Sequence, residues 1–382
     1  MRVVFFSRDY TPHDHRFLEG LAKTDHEVFF LRLEDRGLGL EDRDLPQAVT
    51  PLTWAGGKET VGLLDGWRLI FDLRRLIREV KPDLIHAGPI QRSAFLVALS
   101  GFKPLVSMSW GYDLLIDARK NPFWSWATRF TLKRSAAFVG DCETIRGIAV
   151  EHGMKESRIV TFPWGVDLEH FSPPSGASSV RDRLGWGDKE FVIISTRSFS
   201  PLYGIMDIAH AFVKAVKKNP ELRLLMLGKG PQEPEVKKMF VENGVSNQVH
   251  MAGQVSKSQL PSYYQAADLY LSASQSDGSS ISLLEAFASG LPVLLSDIPG
   301  NKDWVRDNAD QEVGWLFSEG DVTDLERGIR RAVRNREELS SLGQASRRLA
   351  EKEADWEQNF PKLFKAYRIA AGQDLSGQKN SG

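Results

Sequence analysis

Short, uninterrupted apolar runs alternate with longer segments of helical period along almost the whole chain. A strand that is apolar at every position, rather than at every second one, is buried on both faces. That is the condition of a parallel sheet covered by crossover helices. In the first half the strands read as Val3-Val4-Phe5-Phe6, Glu27 to Leu31, Asp83 to His86, Leu105 to Ser109 and Ala137 to Val139. Phe17, Leu18 and Leu21 recur at helical spacing between the first two, and Leu69, Leu73, Leu76, Ile77 and Val80 mark a helix that Pro82 closes. The rhythm then restarts, with strands at Phe191 to Ser195, Leu222 to Leu227, Val249 to Met251, Leu269 to Ser272 and Val293 to Ser296. Helices are predicted between them at Met206 to Val216, Leu260 to Ala266 and Ile281 to Ala288. The predicted fold class is α/β, in two halves with a parallel sheet each.

The two halves part at Ser172-Pro173-Pro174-Ser175-Gly176-Ala177-Ser178-Ser179, a composition of exposed connections. The division expected is a first domain over 1–171, a linker over 172–185, a second domain over 186–355, a C-terminal helix over 356–372 and a flexible polar tail over 373–382. At 382 residues the chain is long enough for two such domains.

Basic residues number 49 and acidic residues 50, a net charge of −1 that supplies no global field for gripping nucleic acid, so no nucleic-acid partner is expected. The single cysteine, Cys142, rules out an intramolecular disulfide and a Cys-based zinc cluster. Ser7, Arg8 and Asp9 end the first apolar run too early for a secretory signal, and no run is long enough to span a bilayer. A cytoplasmic location is expected. Phe123 to Arg134 interleaves Trp124, Trp126 and Phe130 with Arg129, Lys133 and Arg134, a pattern that suits peripheral contact with the inner face of a membrane.

The stretch from Ser276 to Val293 carries the most chemistry. It follows a strand, makes a turn at Gly278-Ser279-Ser280, and enters a helix at Ile281. Free backbone N–H groups at such a helix start bind anions, a diphosphate among them. Glu285 lies near the helix's first apolar stripe, where a carboxylate can accept two hydrogen bonds from a ribose diol. Asp277, eight positions earlier in the loop, is placed to touch a second polyol, or else to cap the helix.

This segment resembles the donor-site signature of glycosyltransferase family 4, retaining enzymes of the GT-B fold, in which two glutamates with seven residues between them precede an Ala-Met-Ala-Cys-Gly-Leu-Pro-Val type helix exit. Other features match in order. Pro163-Trp164-Gly165-Val166-Asp167 with Phe171-Ser172-Pro173 resembles the family's Asn-Gly-Val-Asp and Phe-x-Pro. Arg197 ends a strand like the family's phosphate-binding Arg, and Leu227-Gly228-Lys229-Gly230-Pro231 resembles its Gly-Asp-Gly-Pro turn. Ala266-Ala267-Asp268-Leu269 and Ser296-Asp297-Ile298-Pro299-Gly300 fit as well. The resemblance is strong over Val160 to Phe317 and weaker before it. It implies two Rossmann-like domains facing across a cleft, with the C-terminal helix returning to the first.

Three departures stand out. Asp277 replaces the first Glu, Tyr203 stands six positions after Arg197 where the family has a Lys, and Lys229 replaces the Asp of Gly-Asp-Gly-Pro. Lys229 is therefore expected to supply the cation lost at Tyr203. In the first half, Trp110-Gly111-Tyr112-Asp113 resembles His-Gly-Ser-Asp, with Trp110 in place of the His and Asp113 keeping a carboxylate toward the cleft. Thr11 to Arg16 replaces a Gly-rich loop, and His13, Asp14 and His15 become acceptor-side candidates because two imidazoles there can bind hydroxyls or phosphate. No metal site is expected: consecutive His13, Asp14 and His15 do not converge on one ion, and Asp42-Arg43-Asp44 lies in a charged loop with no strand before it. Gly37-Leu38-Gly39 lacks the third Gly of a dinucleotide fingerprint.

The function the resemblance implies is hexosyl transfer with retention, from a UDP- or GDP-linked sugar to a glycan, lipid-linked or small-molecule acceptor, with no other cofactor. Arg197, Lys229 and the helix start at Gly278, Ser279, Ser280 and Ile281 would meet the diphosphate charge. Glu285 would hold the ribose, Asp277 the sugar hydroxyls, and backbone groups from Gly253 to Ser256 the base. A non-catalytic nucleotide-sugar or glycan-binding protein and a nucleotide-sugar epimerase remain open as alternatives.

Overall fold

The computed structural model describes residues 1–35, 43–58, 65–305 and 312–373. It forms two compact units: Met1–Pro163 joined by the chain from Gln358 on, and Trp164–Glu357. Gly37-Leu38-Gly39, Asp42 and the tail beyond Gln373 lie outside the described residues.

The first unit is built on a seven-stranded parallel sheet of order β3-β2-β1-β4-β5-β6-β7. Its strands are β1 (Arg2–Ser7), β2 (Glu27–Arg32), β3 (Val49–Pro51), β4 (Leu84–Gly88), β5 (Leu105–Met108), β6 (Ala137–Gly140) and β7 (Ile159–Thr161). The continuous apolar runs are explained by cover on both faces. Val4, Phe6, Phe29, Leu31, Ile85 and Ala87 pack on one side against Leu69, Leu73, Leu76 and Val80 of the Gly66–Val80 helix. On the other side Phe5 and Phe17 meet His86, whose Nδ1 lies 2.9 Å from the Tyr367 hydroxyl. That tyrosine belongs to the Leu363–Ala370 helix, so the end of the chain packs on the first unit's sheet. Gly20 makes room for the approach, since a Cβ there would fall 2.5 Å from the Phe360 ring. The segment expected as one helix over 356–372 is instead broken into Trp356–Asn359, a tight turn over Phe360–Lys362 and Leu363–Ala370, with Pro361 in the turn.

The second unit holds a six-stranded parallel sheet of order β10-β9-β8-β11-β12-β13. These are β8 (Phe191–Ser195), β9 (Leu222–Leu227), β10 (Val249–Gly253), β11 (Leu269–Ser272), β12 (Val293–Ser296) and β13 (Gly314–Phe317).

The division between units falls at Pro163, not after residue 171. Val166 and Phe171 are buried in the second unit's core, and Val166 pairs with the far end of that unit through Val166 N–H to Ala354 O (2.7 Å) and Trp356 N–H to Val166 O (3.0 Å). Nor is 172–185 a bare linker. Ser178 caps a helix over Ser179–Leu184, from which Arg181 reaches Asp268 Oδ2 at 2.7 Å and Ala266 O at 2.7 Å. Pro, Ser and Gly mark an irregular backbone, and side chains beyond that stretch pin it down.

Candidate functional site

The second unit gathers its candidates at the carboxyl ends of β10, β9, β8 and β11, the edge where parallel α/β sheets hold ligands. Arg197 follows β8, and Gly228-Lys229-Gly230 follows β9. The two turns lie on each other: Phe199 N–H and Ser198 Oγ both donate to Lys229 O, at 3.0 and 3.1 Å. Glycines are required for that contact. A Cβ on Gly228, which sits at φ +129, would fall 2.5 Å from Arg197 O, and one on Gly230 would fall 2.3 Å from Phe199 O. Gly228 N–H in turn donates to Gly253 O at the end of β10 (2.8 Å), and the exposed Lys229 passes its stem beside Gly253. Ser256 starts the next turn, its carbonyl accepting from Gln259 and Leu260 and its hydroxyl lying 3.0 Å from that of Ser258.

Arg197 is the centre of the arrangement, its side chain only 10% exposed. Nη2 lies 2.5 Å from Asp277 Oδ2, while Nη1 donates to Ser282 Oγ (2.9 Å) and to Ser280 Oγ. The guanidinium carbon stands 4.2 Å above the Tyr203 ring, a cation–π seat where the family pattern has a second cation. Nε is buried with no hydrogen-bond partner among the described residues. Burial by itself lowers the affinity of Arg197 for its proton, but the neighbouring Asp277 charge outweighs it, so the guanidinium is held above its ordinary pKa. Asp277 is raised by burial, with the Arg197 charge working against that rise. Asp277, expected to hold sugar hydroxyls, is the ion-pair partner of Arg197.

Behind this pair stands a network that sequence reasoning missed. The Tyr264 hydroxyl lies 2.9 Å from Thr196 Oγ1 and 2.9 Å from Glu285 Oε2, so half-buried Glu285 is oriented by a wholly buried tyrosine. The Tyr270 hydroxyl lies 2.8 Å from Ser282 Oγ, itself 2.9 Å from Ser280 Oγ. Burial pushes Tyr264 well above the usual tyrosine range, keeping its proton in place. The available signal was chemical: a Tyr inside an apolar strand or helix needs a partner for its hydroxyl. Ser279 and Ser280 are buried at the start of the Ile281–Ala288 helix, and the Ser280 side chain makes no capping bond to it.

The first unit treats its candidates differently. His13, Asp14 and His15 stand on the first turn of the Pro12–Ala22 helix, not on a loop. Asp14 is buried and forms a capping box with Thr11, whose N–H donates to Asp14 Oδ2 (2.8 Å). Asp113 is also buried: Oδ1 accepts from Ser109 Oγ (2.6 Å) and Trp110 N–H (3.0 Å), and Oδ2 from Ile90 N–H (2.9 Å). Burial pushes both carboxyls up to about 6. Both oxygens of Asp113 and Oδ2 of Asp14 are engaged by donors of their own unit, while Asp14 Oδ1 is buried with no hydrogen-bond partner among the described residues. His15 Nδ1 lies 2.8 Å from the Tyr10 hydroxyl, and the rings of His13 and Trp110 lie 5.6 Å apart. Among the described residues no group of three His, Cys, Asp or Glu side chains is placed to hold a metal ion.

Two family models match the chain, "Glycosyl transferase 4-like domain" over residues 11–165 and "Glycosyl transferases group 1" over 178–349. Matched to the two units in turn, they define the class, and the chain belongs to the group 1, family 4-like glycosyltransferases. It is 27% identical over 308 residues to the sulfoquinovosyl transferase SQD2 of Arabidopsis thaliana, covering 74% of this chain and 56% of that one. It is 29% identical over 144 residues to the alpha-monoglucosyldiacylglycerol synthase of Acholeplasma laidlawii, covering 37% of this chain and 36% of that one. The match thus spans about half or less of these relatives' length. The fold is similar to that of Anabaena Alr3699/HepE, solved in complex with UDP and glucose, with a TM-score of 0.78 at 17% identity, covering 96% of this chain and 99% of that one.

Proposed function

We propose that this protein transfers a hexosyl group, with retention, from a nucleotide diphospho-sugar to a hydroxyl acceptor. The observation that carries the reading is Arg197: a buried, charged guanidinium at a strand end, with Nε unpartnered and its other nitrogens held by Asp277 and two serines. A cation in that state is ready to exchange one anion for another. As the donor enters, its diphosphate takes the Arg197 nitrogens and Asp277 is released to accept from hydroxyls of the sugar. Glu285, oriented by Tyr264, accepts from the ribose, and the backbone from Gly253 to Ser256 lies against the base.

In the transfer, the bond from the anomeric carbon to the diphosphate oxygen breaks and a bond to the acceptor oxygen forms on the same face. The acceptor proton passes to the departing diphosphate. Arg197, Lys229 and the N–H groups at Gly278 to Ile281 stabilise the charge that develops on that group, an electrostatic contribution worth about a hundredfold to a thousandfold per donor. UDP and GDP are the nucleotides favoured, the first supported by the UDP held in the similar Anabaena fold. A lipid-linked acceptor is favoured by the diacylglycerol named for the Acholeplasma relative. His13 and Trp110 are the acceptor-side residues retained in this reading, the aromatic pair suiting a sugar or lipid face.

The test is incubation of the full chain with UDP- and GDP-sugars and a panel of glycan, diacylglycerol and glycosyl-lipid acceptors, with mass spectrometry of the products. Release of nucleotide diphosphate that depends on acceptor, with a new glycoside, is expected. Binding without release would identify a nucleotide-sugar-binding protein, and isomerised sugar an epimerase.

A further inference from the structure

The first unit exposes four large aromatic side chains on two helices: Trp67 (75%) and Phe71 (64%) on Gly66–Val80, Phe123 (53%) and Trp126 (49%) on Pro122–Arg134. The sheet order places these helices together. The connections β3 to β4, β4 to β5 and β5 to β6 all advance in the same direction across the sheet, so right-handed crossovers put their helices on one face. The Phe95–Ser100 helix lies between them and touches both. Arg74 Nε donates to Ser100 O at 3.0 Å, and the Phe95 ring lies 5.7 Å from that of Trp126 and 6.4 Å from that of Phe123. Leu69, Leu73, Leu76 and Val80 turn the opposite side of the Gly66–Val80 helix into the core, which points Trp67 and Phe71 away from the sheet.

Charge follows the same pattern on both helices, aromatics at the amino end and cations toward the carboxyl end. The Pro122–Arg134 helix carries Arg129, Lys133 and Arg134 and no carboxylate, with the Arg134 guanidinium 3.6 Å from the Phe130 ring. On Gly66–Val80 both carboxylates, Asp72 and Glu79, pair with Arg75, at 2.7 and 2.9 Å, and the exposed Arg74 and Arg78 have no paired carboxylate among the described residues. Aromatic side chains at headgroup depth beside basic ones are the composition of a face that rests on anionic lipid. The near-neutral total of the chain conceals this local excess.

We propose that the outer face of these three helices docks the protein flat on an anionic phospholipid surface, with Trp67, Phe71, Phe123 and Trp126 inserted and the Arg and Lys heads at the phosphates. The reading is independent of glycosyl transfer. Full-length protein is co-sedimented with vesicles of phosphatidylcholine alone and of phosphatidylcholine mixed with phosphatidylglycerol, at low and high salt. Binding to the mixed vesicles only, weakened by salt, is expected. The double variants W67A/F71A and F123A/W126A should each lower that binding by about tenfold. Both should keep the wild-type melting temperature and the wild-type thermal shift with UDP or GDP, so a failed membrane reading is separable from a failed donor site. Absence of binding to the mixed vesicles, equal binding to both compositions, or binding unchanged in both variants would overturn the proposal. Self-association lost in the variants would assign the face to a second copy instead.

Discussion

Asp113 and Asp277 occupy comparable positions in the two units: each follows a strand, precedes or enters a helix, and is raised in pKa by burial. Their partners differ. Asp113 is bound by two backbone N–H groups and a serine hydroxyl, none of which has reason to leave. Asp277 is bound by a guanidinium that would pair equally well with a phosphate. A carboxylate at a strand end is scaffold or ligand site according to whether its partner can be exchanged, and neither spacing nor residue type records that.

The comparison can be broken most forcefully at Arg197. R197A should lower turnover about a thousandfold, measured by nucleotide release, since it removes a charge donor present in the transition state. D113A should do the reverse, lowering the unfolding free energy by about 3 kcal/mol through the loss of three buried hydrogen bonds while leaving nucleotide binding intact. If D113A abolished turnover without loss of stability, Asp113 would belong to the site after all.

K229A sharpens the account of the missing cation. Turnover should fall about tenfold to a thousandfold with the melting temperature unchanged, because Lys229 is an exposed turn residue beside the Arg197 loop. Y203F should be nearly neutral, as the ring rather than the hydroxyl seats Arg197. Full activity in K229A together with inactivity in Y203F would assign the phosphate contact to the tyrosine hydroxyl.

The smallest effect expected is one of pH. Asp14 and Asp113 are pushed up to about 6 in the folded state, above the ordinary carboxylate value, so the native first unit holds more protons than the unfolded chain between about pH 4 and 6. Their contribution is complete below that window and is lost as pH rises through 6. D14N, which cannot ionise, should flatten the fall in melting temperature across the window; an unchanged slope would show that Asp14 is not the titrating group.

The interior strands were legible because burial on both faces writes continuous apolar runs: β8, β9, β11 and β12 have the predicted bounds. The edge strands β3, β7 and β13 are not buried at every position, so no fully buried run marks them. In the second unit Arg197, Lys229 and Asp277 were legible as residue types after strands, and Glu285 as a carboxylate on the helix that follows. The Arg197–Asp277 pair joins residues 80 positions apart, and the Tyr264–Glu285 contact depends on how a helix packs, so neither could be read. In the first unit the same reasoning named Asp14, which a capping box engages, and Asp113, which Ile90 N–H, Trp110 N–H and the Ser109 hydroxyl engage.

Calorimetric titration of UDP and GDP into the wild type, R197A and D277N tests the exchangeable pair most directly. The account predicts that at least one of the two nucleotides binds the wild type, binds R197A at least about tenfold more weakly, and binds D277N as tightly or more tightly, since the competing carboxylate charge is gone. Equal affinity in R197A and wild type would contradict it.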